Sequence, residues 1–197
     1  MPKSVDFYYD YISTASYLAW TQLEKICAKT GATINYKPIF LGGLFKAAGN
    51  TSPAVVEAKF EWFKRDAQKY ATHYGVPFQM NPYFIFNTVN LMRGAIWAKE
   101  QNRLEDYNKI MFEAIWANAA EMTNPDVLKK VLEDGGFDAE EALAAMSNPD
   151  NKAALIEETE AAAKLGAFGA PTFIVDGELI FGQDRLHWVE QALENNN

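Results

Sequence analysis

Cysteine and positive charge are scarce in this chain of 197 residues. Cys27 is its single cysteine, so an internal disulfide is impossible, and a lone thiol suits a reducing cytoplasm. The chain has 18 Lys and Arg against 26 Asp and Glu, a formal net charge of −8. A surface of that sign repels phosphate, so we expect no nucleic-acid partner. Cys27 follows Leu23 and Ile26 at helical spacing, which favours core packing over catalysis.

Long apolar runs and clusters of metal ligands are also missing. No segment reaches the length of a membrane span, and the first residues lack the pattern of a signal peptide. We therefore expect a cytoplasmic protein with no membrane partner. His73 and His187 lack ligand spacing to other His, Cys or acidic residues, so we assign no metal. Apolar residues still make up 49% of the chain, which is enough for a folded core.

The first forty residues alternate between strand and helix patterns. Residues 5–12 are β-branched and aromatic and predict a strand. Apolar residues at three- and four-residue steps from Ser13 predict a helix that Gly31 ends. Residues 33–41 predict a second strand. The pattern is that of a βαβ unit with a right-handed crossover.

A helical block occupies the middle of the chain. From Gly42 a glycine-rich loop leads to Ser52-Pro53, which predicts a helix start. Asn124-Pro125 and Asn148-Pro149 predict two more starts, and Asp138 with Glu141 resembles a capping box. We expect residues 53–165 to be almost wholly helical. One apolar face of the first of these helices comprises Val56, Phe60, Phe63, Ala67, Tyr70 and Tyr74.

Strand patterns return near the end of the sequence. Residues 172–175 and 178–181 flank Asp176-Gly177, a strong hairpin signal. Asp184 should cap a last helix, and Asn195 to Asn197 should fray. The order βαβ, helices, ββα predicts an α/β thioredoxin-like fold with a large all-helical insertion between its two halves. We assign residues 1–45 and 166–197 to a thioredoxin-like domain and 46–165 to a helical insertion domain.

Ser13 stands at the junction of the first strand and the first helix. A helix N-terminus carries unpaired N–H groups and a partial positive charge, which stabilise an anion. Thioredoxin folds hold Cys-x-x-Cys here, but both positions are serine in this chain, Ser13 and Ser16, so disulfide exchange is impossible. Serine is a common N-cap. Its hydroxyl is also suited to donate a hydrogen bond to a thiolate brought by another molecule.

Ala170-Pro171 precedes the predicted third strand. A proline after glycines is often only a turn. In the thioredoxin topology, however, this position holds a cis-proline that faces the first helix, and the residue before it pairs with an extended peptide as an added strand would. We therefore predict a cis Ala170–Pro171 bond.

Three charged residues have both a structural and a binding interpretation. Lys59 and Arg93 each lie near the start of a predicted helix, where a long cation either extends to water or contacts a ligand carboxylate. Asp184 is suited to accept from a ligand ammonium group in addition to capping its helix.

Four motifs, in order along the chain, resemble those of a known family. They are Phe7-Tyr8-Tyr9-Asp10 with Ser13 and Ser16, Asn50 with Lys59, Gly166 to Pro171, and Phe181 to Arg185. Together they resemble the DsbA-like branch that contains 2-hydroxychromene-2-carboxylate isomerases and kappa-class glutathione transferases. Thr14 replaces the family's usual proline, which loosens the first helical turn.

The resemblance implies that glutathione is the cofactor and assigns residues to it. Ser13 resembles the catalytic residue that binds the glutathione sulfur. The remaining positions implied to contact cofactor or substrate are Asn50 and Lys59 at the glycyl end or the substrate, Ala170 with Pro171 at the cysteinyl backbone, Gln183 and Asp184 at the γ-glutamyl end, and Arg93 and Trp116 near the substrate.

The implied activity is glutathione-dependent cis–trans isomerisation, by reversible conjugate addition of a thiolate to an unsaturated 2-oxo acid. Two alternatives stay open: a kappa-like transferase acting on other electrophiles, and a redox-inactive peptide-binding protein. The substrate would be small, hydrophobic or aromatic, and electrophilic. Family members are commonly dimers, so the resemblance also implies a homodimer. Phe84, Phe86, Trp97 and Trp116 are equally suited to the core and to the pocket wall.

Overall fold

A mixed β-sheet with helices around it makes up the computed structural model, which describes residues 3–194. Within that range the strands are β1 (Ser4–Tyr9), β2 (Thr33–Pro38), β3 (Thr172–Val175) and β4 (Glu178–Phe181). Their spatial order is β2-β1-β3-β4. β1 is parallel to β2 and antiparallel to β3, and β3 is antiparallel to β4. The predicted βαβ unit and the hairpin at Asp176-Gly177 are confirmed.

Helices connect and cover the strands. α1 (Thr14–Thr30) joins β1 to β2, and α9 (Leu186–Glu194) follows β4. Between the sheet halves lie α2 (Leu41–Ala48), α3 (Glu57–Tyr74), α4 (Val89–Glu100), α5 (Leu104–Phe112), α6 (Pro125–Asp134), α7 (Ala139–Ser147) and α8 (Pro149–Lys164). A π-helical segment, Glu113–Ala117, continues α5. None of the helices within residues 3–194 combines the length and apolar character needed to cross a membrane.

Side-chain caps begin the later helices where the sequence predicts them. Asn124, Asp138 and Asn148 each accept a hydrogen bond from a backbone N–H two or three residues ahead, at 2.8 to 3.0 Å. Gly31 ends α1 with a φ of 71°, a left-handed conformation that favours glycine. The predicted fraying of Asn195 to Asn197 lies outside the described residues.

The predicted glycine-rich loop is wrong, because residues 41–48 form α2. Buried Leu41 and Leu44 anchor this helix, and the Phe40 ring packs where side chains on Gly42 and Gly43 would lie. This apolar burial outweighs the helix penalty of the two glycines, about 1 kcal/mol each. The second strand accordingly ends at Pro38 rather than at residue 41.

Two predicted helix starts also need correction. The Ser52 hydroxyl caps only a short 3-10 turn, Pro53–Val55, and α3 begins at Glu57. Asp184 lies inside another 3-10 turn, Gln183–Arg185, and does not cap α9. Its carboxylate pairs with Arg185 instead. Residues 75–88 form irregular chain with turns, so the middle block is less helical than expected.

The apolar core joins the two parts of the chain. Phe7 on β1 stacks on Phe173 of β3 at 5.4 Å between ring centroids, and Tyr9 contacts Phe112 of α5 at 5.7 Å. One cluster of buried residues contains all four. The division into two domains at residues 45 and 166 stays a prediction, and α2 crosses its first boundary. Cys27 is buried as predicted, and burial raises the pKa of its thiol to about 11.

Gly94 on α4 offers a test of this packing. A Cβ there would overlap the Tyr107 hydroxyl, which donates to the Leu91 carbonyl at 3.1 Å. We expect Gly94→Ala to lower the free energy of unfolding by about 1–3 kcal/mol in denaturant titrations. The same change in a Tyr107→Phe background should cost less, because the overlapping oxygen is gone. Equal costs in the two backgrounds would contradict this packing.

Candidate active site

Ser13 occupies the N-cap of α1, and its hydroxyl has two hydrogen bonds. The oxygen accepts from the backbone N–H of Ser16 at 3.1 Å, and the O–H donates to the carbonyl of Ala170 at 2.9 Å. The first bond makes Ser13 the cap that the sequence predicts. The second joins two segments 157 residues apart in sequence. Ser13 is therefore held at the meeting point of α1 and the segment before β3.

That segment contains the predicted cis bond between Ala170 and Pro171. Pro171 is buried and Ala170 is half-buried. The Thr172 hydroxyl donates to the Gly169 carbonyl at 2.8 Å, and Gly182 donates its N–H to the Pro171 carbonyl at 3.0 Å. These bonds fix the backbone of residues 169–172 opposite the start of α1.

Asp10, at the end of β1, is a fully buried carboxylate beside Ser13. Its Oδ1 accepts from the Ile12 N–H at 3.0 Å and from the Thr88 hydroxyl at 2.6 Å, and its Oδ2 accepts from the Leu41 N–H at 2.8 Å. The Ser13 N–H donates to the Asp10 carbonyl at 3.0 Å. Burial raises the pKa of the carboxyl, and the three hydrogen bonds oppose that rise. Asp10 thus ties the loop before α1 to the starts of α2 and α4.

A cavity of about 690 Å³ opens over this junction. That size is within the range of roughly 300–1,000 Å³ typical of small-molecule sites. Its base includes Asp10, Ser13, Ala170 and Pro171. Much of its wall is aromatic or aliphatic, formed by Phe40, Phe45, Phe60, Trp62, Phe63, Met80, Phe84, Ile85, Phe86 and Phe181.

The cavity wall explains the apolar face predicted on α3. Phe60, Phe63 and Ala67 line the cavity instead of packing only in the core. Val56 is 44% exposed and Phe63 is 43% exposed. A helix face that borders a cavity has the same spacing of apolar residues as one that borders a core.

Gln183 and Asp184 line the cavity as a pair with different surroundings. Gln183 is buried, and its side-chain Oε1 accepts from the Tyr74 hydroxyl at 2.9 Å. Burial raises the pKa of Tyr74 to about 12, so this hydroxyl stays protonated at neutral pH. Asp184 is more exposed and has both carboxylate oxygens 3.0 Å from Nη1 of Arg185.

Asn50 also reaches the cavity wall. Its amide N donates to the Phe168 carbonyl at 2.8 Å, and its side-chain oxygen accepts from the Thr51 N–H at 2.8 Å. These bonds connect the loop after α2 to the segment that leads into the cis-proline. The structure therefore brings Ser13, Asn50, Ala170, Pro171, Gln183 and Asp184 to one cavity.

Three predicted site residues lie elsewhere among the described residues. Lys59 is exposed near the start of α3 and does not line the cavity. Arg93 does not line the cavity, because its side chain lies between α4 and α7. There it donates to the Asn90 side chain on α4 and to the Met146 carbonyl on α7. Trp116 is fully buried and donates its indole N–H to the Tyr11 carbonyl at 2.8 Å. Trp116 supports the wall from behind, with its ring 5.9 Å from that of Phe84.

Other wall residues have no signal strong enough to identify them from sequence. Thr88 and Lys64 are ordinary residues in helical or loop sequence, and only the folded chain places them at the cavity. Asp10 had a signal, since a charged residue ends an apolar aromatic strand. Of the aromatic residues left open, Phe84 and Phe86 line the cavity and Trp97 lies in the core.

Comparison with known proteins assigns this chain to a family. Residues 4–194 match the model of the DSBA-like thioredoxin domain. A 2-hydroxychromene-2-carboxylate isomerase of Sphingobium xenophagum is 31% identical over 98% of this chain and 99% of its own length. The chain belongs to the DsbA-like thioredoxin family, in the branch of these isomerases.

Two further known proteins, one compared by sequence and one by structure, are similar to the chain over nearly its whole length. The chain is 28% identical to glutathione S-transferase kappa 1 of Caenorhabditis elegans over 98% of this chain and 93% of that protein. The solved structure of a 2-hydroxychromene-2-carboxylate isomerase superposes with a TM-score of 0.88 at 29% identity, covering 96% of this chain and 94% of that one. These relatives are enzymes, and the predicted thioredoxin-like fold with its helical insertion is confirmed.

In this DsbA-like chain, the hydrogen bonds of Asp10 predict how its replacement changes stability. An amide has one acceptor oxygen, so Asp10→Asn cannot accept from the Ile12, Leu41 and Thr88 donors as the carboxylate does. We expect the variant to lose about 1–3 kcal/mol of unfolding free energy, the cost of leaving a buried donor without a partner. Denaturant titration of both proteins measures it, and an unchanged midpoint would contradict the role of Asp10.

The pH dependence of that loss follows from the raised pKa of Asp10. A carboxyl with a raised pKa in the folded state binds its proton more tightly there, so its contribution to stability falls as pH rises from the unfolded pKa, about 3.9, toward the folded one. The difference in unfolding free energy between wild type and Asp10→Asn should therefore be larger near pH 4 than near pH 7. A difference that grows with pH would contradict the raised pKa.

Proposed function

We propose that this chain is a glutathione-dependent cis–trans isomerase of the 2-hydroxychromene-2-carboxylate type. The observation that carries the proposal is the Ser13 hydroxyl at the N-terminus of α1, held 2.9 Å from the Ala170 carbonyl beside the cis-proline. When bound, glutathione would supply a thiolate that adds reversibly to a conjugated double bond and so allows that bond to rotate.

Ser13 would stabilise the thiolate together with the first turn of α1. N–H groups in that turn have no partner within the helix, and their field favours a negative charge. The Ser13 proton points at the Ala170 carbonyl here. An extended peptide bound along residues 169–171 would donate its own N–H to that carbonyl, which frees the Ser13 hydroxyl to donate to sulfur.

The ends of the tripeptide fit polar groups on the cavity wall. The carboxylate of Asp184 is suited to accept from the γ-glutamyl ammonium group, and the side-chain N–H of Gln183 is suited to donate to the γ-glutamyl carboxylate. Tyr74 holds the Gln183 amide in place. Asn50 is suited to the glycyl end. Lys59, Arg93 and Trp116 stay predictions from the resemblance, and their positions outside the cavity wall do not support them.

The aromatic part of the wall suits the second substrate. Rings such as Phe60, Phe84 and Phe86 offer apolar surface against which a planar unsaturated acid would pack and from which water is excluded. Exclusion of water would strengthen the field at Ser13, and contact with the rings would orient the double bond over the thiolate.

A kappa-like transferase is the second candidate, and the full-length similarity to kappa-class proteins favours it. The same activated thiolate would attack other electrophiles. We also propose a homodimer and a cytoplasmic location, on the basis of the family resemblance and the single cysteine respectively. A peptide-binding protein without chemistry is the remaining alternative.

Binding of glutathione tests the role of the thiol. Calorimetry should show that wild type binds glutathione more tightly than the analogue in which a methyl group replaces the thiol, by about tenfold. Ser13→Ala should bind the two equally, because the hydroxyl that contacts sulfur is gone. No preference for the thiol in wild type would overturn the assignment of Ser13.

Turnover separates the enzyme candidates. The absorbance change on isomerisation of 2-hydroxychromene-2-carboxylate with glutathione reports the first activity, and conjugation of a chlorinated nitrobenzene reports the second. Ser13→Ala should lower kcat/KM by about 10²–10³ in the activity that the protein has. Ser13→Thr, which keeps a hydroxyl, should retain more activity than the alanine variant. Absence of both activities in wild type would leave only the peptide-binding candidate.

A further inference from the structure

The substrate class proposed above carries a carboxylate, and the cavity must accommodate it. A charge moved from water into an apolar site is costly unless a cation pairs with it. Among the described residues that line the cavity, two are cationic, Lys64 on α3 and Arg185 after β4. The position of each decides which of them is available to the substrate.

Arg185 already has partners at the cofactor end of the cavity. Its Nη1 lies 3.0 Å from both oxygens of Asp184 and donates to the Phe181 carbonyl at 3.3 Å. Asp66 also lines the cavity. Burial is the main cause of the raised pKa of Asp66, and the negative charge of Asp184 raises it further, so the two acids lie close enough to interact. A substrate carboxylate would be repelled by these two acids.

Lys64 lies on the aromatic side of the same wall. Its Nζ is 5.0 Å from the centroid of the Phe60 ring, and Phe60 stacks on Phe84 at 5.4 Å with an interplanar angle of 11°. An unsaturated aromatic acid that packs against this pair of rings would bring its carboxylate within reach of a flexible lysine side chain.

The present partner of Lys64 is easily exchanged. Glu61, one turn earlier on α3, accepts from Nζ at 2.5 Å and is 53% exposed. An exposed pair of this kind contributes about 0–1 kcal/mol. A ligand carboxylate inside the cavity, where water is partly excluded, would compete with it well.

We infer that Lys64 binds the carboxylate of the unsaturated acid and so selects charged over uncharged substrates. The inference rests on the proposed function for the identity of the substrate, and it names a residue that the sequence motifs do not contain. It makes Lys64 a specificity-determining residue, whereas Ser13 acts on the thiol.

Binding of a non-reacting acid tests Lys64 independently of turnover. The probe is trans-2-hydroxycinnamate, compared with its methyl ester, and isothermal titration calorimetry measures the affinity of each. Wild type should bind the acid about tenfold more tightly than the ester. Lys64→Met should bind the two equally, and Lys64→Arg should restore the preference for the acid.

Three controls make the result specific. Lys152→Met removes the same charge from an exposed position on α8 outside the cavity wall, and should leave the acid preference unchanged. Glu61→Gln should leave or strengthen acid binding, because it removes a competitor for Lys64. Glutathione affinity should stay within about twofold in Lys64→Met.

Kinetics then separates this inference from the proposed function. If wild type isomerises the chromene carboxylate, Lys64→Met should raise KM about tenfold for it and leave conjugation of an uncharged nitrobenzene unchanged. If wild type lacks isomerase activity, the proposed function fails and the cinnamate preference still decides the role of Lys64. Equal binding of acid and ester by wild type, or an acid preference retained in Lys64→Met, would overturn the inference.

Discussion

The buried carboxylate of Asp10 is the constraint on which the geometry of the site depends. It accepts hydrogen bonds from Ile12, Leu41 and Thr88, which belong to three separate segments. The first segment leads into α1, the second starts α2, and the third starts α4 within the helical insertion. Because these donors converge on one group, the insertion is fixed relative to the sheet, and the cavity between them has a defined shape. The start of α1 is held in the same way, through the bond from the Ser13 N–H to the Asp10 carbonyl.

On this framework the replacement of sulfur by oxygen changes what the fold can do. A thioredoxin-like helix N-terminus stabilises an anion, but with Ser13 and Ser16 the chain has no thiol of its own there. The Ser13 hydroxyl donates to the Ala170 carbonyl instead. The start of α1 still faces the backbone before β3, and this geometry supports the proposal that a thiol arrives there as part of a peptide. The wide aromatic wall contributed by α3 and residues 80–86 would leave room for the second molecule that the proposed reaction requires.

The sequence predicts the sheet, the caps of α1, α6, α7 and α8 and the positions around Ser13 and Ala170 because local rules govern them. Strand patterns, Asn-Pro starts and the Asp176-Gly177 turn depend on neighbouring residues, and they were confirmed, although the first two strands end three residues earlier than predicted, at Tyr9 and Pro38. Failures occurred where tertiary packing decides. Residues 41–48 form a helix despite two glycines because Leu41 and Leu44 are buried, and Asp184 pairs with Arg185 rather than capping α9. Lys64 could not be found at all, since its place on the cavity wall depends on how α3 packs against distant segments.

The most direct test of this account is the pKa of the thiol of glutathione bound to the protein. Titration of the ultraviolet absorbance of the thiolate, with the protein in excess over glutathione, measures it, and the same titration with Ser13→Ala is the comparison. The account predicts a thiol pKa well below that of free glutathione in wild type and a clear rise in the variant. A bound thiol that titrates as it does in free solution, or one that titrates identically in the two proteins, would contradict the central role of Ser13.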